Sequence, residues 1–398
     1  MYVRSTIRNL MMMRETGPTP AICNQGNFKT YIGGLQMGHV FISPLNWGLG
    51  HASRDIPVIE ELLHRGHEVT IGACGNAFAF LKREFPSCNF IYFEDYPQPY
   101  NNGLLFITTF TRHMPKLVRA FEEERNACKK FFLKTPYDLI ISDSRPGVFS
   151  ESVPSIQITH QVHQSLPLLI WPLELLGVFI NSNAFKKYAA IVVPDNDPGE
   201  GALGGKLSRT FFDSAREKLY YSGILASVRR RPIPRDIDYL VVISGMEPQR
   251  TQLEKLVLPR VAHLPGKKVI LLGKPQVNQV TKSGDDTIIY SYLSNEEKSL
   301  LMSRTKFIIS RSGYTTMMDV AETGIRHGLF IPTPGQWEQE YLASYYESQG
   351  WFYSKSQFLF NLDRDMEKSY RYGGFPTMPT TRENVSRLYQ ELLAQHLE

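Results

Sequence analysis

Residues 307–343, FIISRSGYTTMMDVAETGIRHGLFIPTPGQWEQEYLA, constrain the fold more than any other stretch of the chain. Apolar β-formers (307–310) run directly into the polar turn Arg311-Ser312-Gly313, and a helical pattern follows to about Thr323. A second apolar run (328–332) leads through a loop to another helix opening near Glu338. Strand, turn, helix and strand at this spacing belong to a parallel sheet with helices packed on it. The first turn of a helix leaves backbone N–H groups free and points them beyond the strand end, where an anion would sit. Asp319, about two turns into the helix, and Glu338-Gln339, past the next strand, add groups that bind hydroxyls. Open α/β sheets hold their ligands at such strand ends. The stretch therefore predicts a pocket for a phosphorylated, hydroxyl-rich ligand.

The same alternation fills most of the 398 residues. Residues 1–36 are polar, broken by prolines and glycines, and read as a poorly ordered extension, with Met37 directly before the first strand. Strands are predicted over 39–45, 67–74, 88–94, 137–143, 154–160 and 189–195, and helices over 53–65, 77–84 and 117–132. The segment 227–236, SVRRRPIPRD, has no apolar period and reads as a linker. A second βα series follows, with strands over 239–245, 268–273 and 287–293 and a helix around 251–257. It runs into the stretch described above, and the chain closes with a helix over 381–397. The expected fold is α/β: two Rossmann-like, doubly wound parallel-sheet domains facing each other across a cleft.

Composition narrows the partners. Apolar content of 42% and charged content of 21% are those of an ordinary globular chain. The net charge of +5 is mild, and there is no basic repeat, zinc pattern or aromatic-basic motif, so no nucleic-acid partner is expected. The four cysteines, Cys23, Cys74, Cys88 and Cys128, lie far apart with no CxxC pair, which predicts a reducing, cytoplasmic setting. The longest apolar run, 166–180 (LPLLIWPLELLGVFI), is too short to span a bilayer and contains two prolines and a glutamate. It suits a buried or interfacial helix.

Candidate chemistry sits at strand ends. Gly48-Leu49-Gly50-His51 follows the first strand; glycines let the backbone turn sharply and a ligand come close, and His51 opens the next helix. A dinucleotide fingerprint would need a glycine at Ser53 and a carboxylate ending the second strand, and has neither. No nicotinamide, flavin or other cofactor is expected. Imidazole is the natural general base near neutral pH. Asp143, ending the strand YDLIISD, orients His51, acts as a base itself, or caps the turn Ser144-Arg145-Pro146-Gly147. His160 and His163 follow another strand end and suit an acceptor, while HxxH alone makes a weak metal site. Ser244-Gly245 is a second anion turn opposite Ser312-Gly313. Asp195-Asn196-Asp197 and Asp363-Arg364-Asp365 match a metal-binding DxD pattern only on paper, and no metal is predicted.

These motifs resemble those of the GT-B glycosyltransferases, especially family 28 and its relatives, over nearly all of residues 37–398. Gly48-Leu49-Gly50-His51 looks like that family's glycine loop ending in the base histidine. Arg311-Ser312-Gly313, Asp319, Gly324, Pro332, Glu338-Gln339 and Ala343 look like its donor signature. The resemblance implies diphosphate at Ser312-Gly313 and Ser244-Gly245, ribose at Asp319 and sugar hydroxyls at Glu338 and Gln339. Tyr292-Leu293 would offer backbone to the base. Asp319 stands where the family usually has glutamate, and Glu338 where it has the first of two glutamines.

On that resemblance, the domains divide as extension 1–36, acceptor-side domain 37–225, linker 226–237 and donor domain 238–380. The helix 381–398 would pack back on the first domain. The expected reaction is an inverting, metal-independent transfer of a sugar from a nucleoside diphosphate sugar, taken as UDP-linked, to a glycan or lipid-linked hydroxyl. Runs 103–110 and 166–180, with Arg112, Lys116 and Arg119, suit a peripheral membrane face. Two other readings share the frame: a nucleotide-sugar 2-epimerase or hydrolase, and a non-catalytic nucleotide-sugar binder.

Overall fold

A computed structural model of the chain describes residues 31–32, 35–96, 106–163, 184–199, 201–210, 213–274 and 276–397. Residues 103–105 and 166–180, and the side chain of Arg112, lie outside what is described, and with them most of the expected membrane face. Two short strands, β1 (Tyr31–Ile32) and β2 (Leu35–Gln36), pair antiparallel within the stretch expected to be an extension.

The N-terminal sheet is seven-stranded and parallel throughout. Its strands are β3 (His39–Pro44), β4 (Glu68–Ala73), β5 (Asn89–Tyr92), β6 (Leu139–Asp143), β7 (Ser155–Ile158), β8 (Ala190–Val193) and β9 (Leu219–Tyr221). The spatial order is β5-β4-β3-β6-β7-β8-β9. A parallel sheet is covered on both faces, so its strands read as unbroken apolar runs. Val40 and Ile42 of β3 face one core, while Phe41 between them packs with Phe132 and Tyr137 in another.

The C-terminal sheet is also seven-stranded, in the order β12-β13-β11-β10-β14-β15-β16. It comprises β10 (Ile237–Val242), β11 (Lys268–Leu271), β12 (Val280–Ser283), β13 (Thr287–Tyr290), β14 (Thr305–Ser310), β15 (His327–Phe330) and β16 (Tyr353–Ser354). Only the edge strand β12 runs antiparallel.

Order in each sheet reverses beside its first strand, between β3 and β6 and between β10 and β14. The crevice at such a switch point is where doubly wound sheets take ligands. Helix α1 (Gly50–His64) leaves β3 there, and α2 (Tyr314–Thr323) leaves β14. Helix α1 begins three residues earlier than its apolar period shows, because the glycine loop itself enters the helix, so His51 lies in its first turn. Helix α2 ends at Gly324 in the left-handed region (φ +64°), the conformation glycine adopts most easily after a helix.

The long helix α3 (Phe106–Phe132) starts well before the expected position 117. The strand predicted over 287–293 stops at Tyr290, leaving Tyr292-Leu293 in the following loop. The arginine-rich connection is pinned to the C-terminal domain: Arg231 pairs with Glu296, and Arg235 donates to the carbonyls of Thr323 and Gly324. At the end of the chain, Val385, Leu388, Tyr389, Leu393 and Leu397 pack into the N-terminal core. Tyr389 Oη lies 2.6 Å from His67 Nε2.

Candidate active site

Strand register alone brings two expected residues together. Pro44 of β3 lies opposite Asp143 of β6, and the amide of Leu45 donates to the Asp143 carbonyl. The chain then turns through Gly48 (φ +101°) into α1. His51 Nδ1 ends up 2.8 Å from Asp143 Oδ1, with His51 partly exposed (17%) and Asp143 fully buried. The Asp143 side chain thus lies against His51.

Arg54, one turn further along α1, was not singled out in the sequence. It is buried and grips the same carboxylate through both of its oxygens, Nε to Oδ2 at 2.6 Å and Nη2 to Oδ1. Burial by itself would raise the Asp143 pKa; Arg54 and His51 outweigh it and hold the carboxyl far below its ordinary range. Ser144 takes a left-handed φ of +56°, rare outside glycine, and its Oγ accepts from Arg54 at 3.1 Å. The neighbouring Asp55 is also fully buried. Burial, then the Asp143 charge, push its pKa well above the usual carboxylate value and favour the neutral acid, against the opposite pull of Arg54.

His160 joins the cluster through Arg54 Nη1, 2.7 Å from its Nδ1, and stacks flat on Tyr314 with ring centroids 4.4 Å apart. Burial lowers its pKa, although Glu338 pulls the other way. His163 is buried and its backbone amide donates to the Leu207 carbonyl.

Glu338 opens helix α4 (Trp337–Ser348) on the C-terminal domain and reaches across the cleft. Its Oε1 lies 3.3 Å from His160 Nε2, a close approach without hydrogen-bond alignment, and its Oε2 accepts from Gln161 Nε2. Burial pushes the Glu338 pKa up, but His160 and Gln161 more than offset this, so the carboxylate is held ionised. Gln161 is a second residue the sequence did not flag. Gln339 is turned inward: its Oε1 accepts from the Thr333 amide and its carbonyl from Ser312 Oγ.

The other donor-side residues divide by what they face. Helix α2 has no side-chain cap at Gly313, so its first amides are open for a ligand. Ser244 and Gly245 (φ +111°) form the turn after β10, and Gly245 is exposed. Three of the expected donor residues turn their side chains to other partners. The Arg311 guanidinium does not reach the cleft; it is buried and donates to the carbonyls of Gln249, Ile331 and Pro332 and to Gln357. The Ser312 hydroxyl is likewise turned away, toward Gln339. Asp319 is 1% exposed and accepts from Ser227 and from Lys298 Nζ at 2.6 Å, so it bridges the linker to the domain instead of lying open. Tyr292 packs on the other domain, with Arg83 over its ring and Phe80 at its edge.

Thr315 in the first turn of α2 donates to the Gly50 carbonyl at the start of α1, at 3.3 Å. A Cβ on Gly50 would stand 2.9 Å from that hydroxyl. The two helix N-termini therefore meet across the cleft. Among the described residues, no cluster of His, Cys, Asp and Glu could hold a metal ion, and the Asp195 carboxylate accepts from the amides of Asn196, Leu203 and Gly204 and from Ser208.

No family model matches the chain. A curated protein of Methanosarcina acetivorans, described as an uncharacterized glycosyltransferase, is 22% identical over 329 residues, 76% of this chain and 82% of its own length. Among solved structures, the glycosyltransferase SnogD from Streptomyces nogalater matches with a TM-score of 0.55 at 14% identity, over 90% of this chain and 99% of that one. The glycosyltransferase VinC, in complex with dTDP, gives 0.51 at 13% identity over 90% and 98% of the two chains. Arabidopsis thaliana UGT89C1, complexed with quercetin, gives 0.53 at 12% identity over 90% and 94%. The chain thus has the two-domain GT-B fold and is similar, through both sheets, to glycosyltransferases.

Proposed function

We propose that this protein is an inverting glycosyltransferase that moves a sugar from a nucleoside diphosphate sugar to an acceptor hydroxyl. The observation that carries the reading is the His51–Asp143 pair at one switch point, facing the uncapped N-terminus of α2 at the other. His51 takes the proton from the acceptor hydroxyl. The oxygen attacks the anomeric carbon from the face opposite the diphosphate. The bond from that carbon to the diphosphate oxygen breaks, and the nucleoside diphosphate leaves with the electron pair. Charge growing on the diphosphate meets the free amides of α2 and of the Ser244-Gly245 turn, as helix N-termini can provide. Glu338, on the donor-side domain, approaches His160 to 3.3 Å. VinC in complex with dTDP and UGT89C1 complexed with quercetin are precedents for a nucleotide and for a second small molecule bound by this fold.

UDP as the nucleotide and a lipid-linked acceptor are the finer parts of the reading. The acceptor rests on the apolar runs 103–110 and 166–180. Among the described residues, no helix is long and apolar enough to cross a membrane, so a lipid acceptor would be met at a surface.

The test is a thermal-shift screen against nucleotide sugars, then mass-spectrometric detection of product with candidate acceptors. Stabilisation by one donor class and a mass gain on an acceptor support transfer. Sugar or epimer released with no acceptor present would replace it with the epimerase or hydrolase reading, and binding without turnover in any panel with the binder. Activity that survives exhaustive chelation supports the amide cradle. Flotation with anionic liposomes tests the lipid acceptor, which falls if the protein stays unbound.

A further inference from the structure

A guanidinium carries five N–H groups and accepts nothing. Arg54 directs four of them at named partners. Nε donates to Asp143 Oδ2 at 2.6 Å. The two protons of Nη2 go to Asp143 Oδ1 and, at 3.1 Å, to Ser144 Oγ. Nη1 donates to His160 Nδ1 at 2.7 Å.

His160 Nδ1 must accept, so its proton is on Nε2, on the side of Glu338 Oε1. Nη2 also lies 2.9 Å from His51 Nδ1, nearer than Ser144 Oγ, so its two protons alone do not choose the tautomer of that ring. Asp143 chooses it: the ionised Oδ1 only accepts and lies 2.8 Å from Nδ1, so Nδ1 donates and Nε2 is left bare, while Arg54 holds that carboxylate ionised and aimed through both oxygens.

We propose that Arg54 is a positioning residue whose single guanidinium selects the tautomers of both cleft histidines. His51 Nε2 is kept free to take a proton, and the His160 Nε2 proton is kept on the side of Glu338 of the other domain. The inference rests on reading His51 as the base.

The test uses the full chain labelled with ¹⁵N-histidine. Imidazole spectra are followed from about pH 5 to 9, and His51 is assigned by loss of its signals in His51→Gln. The expected wild-type spectrum has His51 protonated at Nδ1 and bare at Nε2. In Arg54→Met, the tautomers should mix. Arg54→Lys keeps the charge without the fork, so the tautomer preference should be lost there too. A wild-type His51 protonated at Nε2, or a folded Arg54→Met with the wild-type tautomer ratio, overturns the proposal. If Arg54→Met does not fold, Arg54→Lys decides through the tautomer ratio alone. The expected spectra without turnover on any acceptor would defeat the transferase reading and leave Arg54 in its role, while turnover with unmoved spectra would do the reverse.

Discussion

At the scale of single residues, the site is a set of ionisable groups whose states are set by their neighbours. General-base assistance is typically worth ~10²–10⁴-fold, so His51→Ala should lower turnover by about that factor. Nucleotide affinity should stay close to wild type, because the diphosphate cradle lies on the other domain. Steady-state rates and calorimetric titration with nucleotide check this, and full activity in the variant would remove His51 from the mechanism. Asp55 yields a stability prediction with a definite sign. Its folded pKa is raised, so its contribution is complete below the ordinary aspartate value of about 4 and is lost as pH rises toward the folded value. Asp55→Asn removes that loss. Denaturant midpoints should show the variant more stable than wild type at pH 7, with the difference closing toward pH 4. Equal midpoints at pH 7 would mean that Asp55 is not held neutral.

At the scale of elements, each half of the site is a strand, a turn and a helix N-terminus, and glycine conformations set the turns. Gly324 closes α2 at φ +64°, and a Cβ there would come no nearer than 3.7 Å to Arg230, so it would meet no clash. Only the backbone penalty remains, about 1–2 kcal/mol for a left-handed non-glycine residue. Gly324→Ala should lower stability by that amount while leaving donor affinity intact, because the ligand-facing amides are at the opposite end of α2. Chemical denaturation and nucleotide titration measure the two effects separately. A loss of affinity with unchanged stability would contradict this assignment of roles along the helix.

At the scale of the whole molecule, the chain leaves the N-terminal domain, builds the C-terminal sheet and returns. The returning segment from Thr381 to Leu397 fills the N-terminal core with Leu388, Tyr389, Leu393 and Leu397, and Leu397 covers Gly38 beside β3. Buried apolar side chains of this size contribute roughly 1.5–3 kcal/mol each. Deleting residues 389–397 should therefore destabilise the N-terminal sheet selectively. Hydrogen exchange should rise first in β3 and β4, with the C-terminal sheet protected as before. Uniform loss across both sheets would show the two domains unfolding as one unit instead.

Much of this was legible in one dimension, for a physical reason. Parallel strands buried on both faces are unbroken apolar runs, and the turns that leave them need glycine, so strand, loop and helix order can be read from local pattern. Those patterns mark His51, Asp143 and the Gly313 helix start, together with the alternation that makes two doubly wound sheets. Apolar period, not hydrogen bonding, marks a helix in sequence, so the onset of α3 precedes its periodic stretch. Pairing across sequence distance carries no local mark. Nothing near Arg54 announces an arginine that joins residues 51, 143 and 160, since charged residues on a helix are usually solvated. Arg311, Ser312 and Asp319 stand where a donor signature has them, yet packing turns their side chains toward carbonyls, a helix and a lysine. The sequence alone determined which residue types stand at the ends of the strands. Only the tertiary structure decided which of them meet across the cleft, because strand order and domain apposition, not spacing along the chain, set those distances.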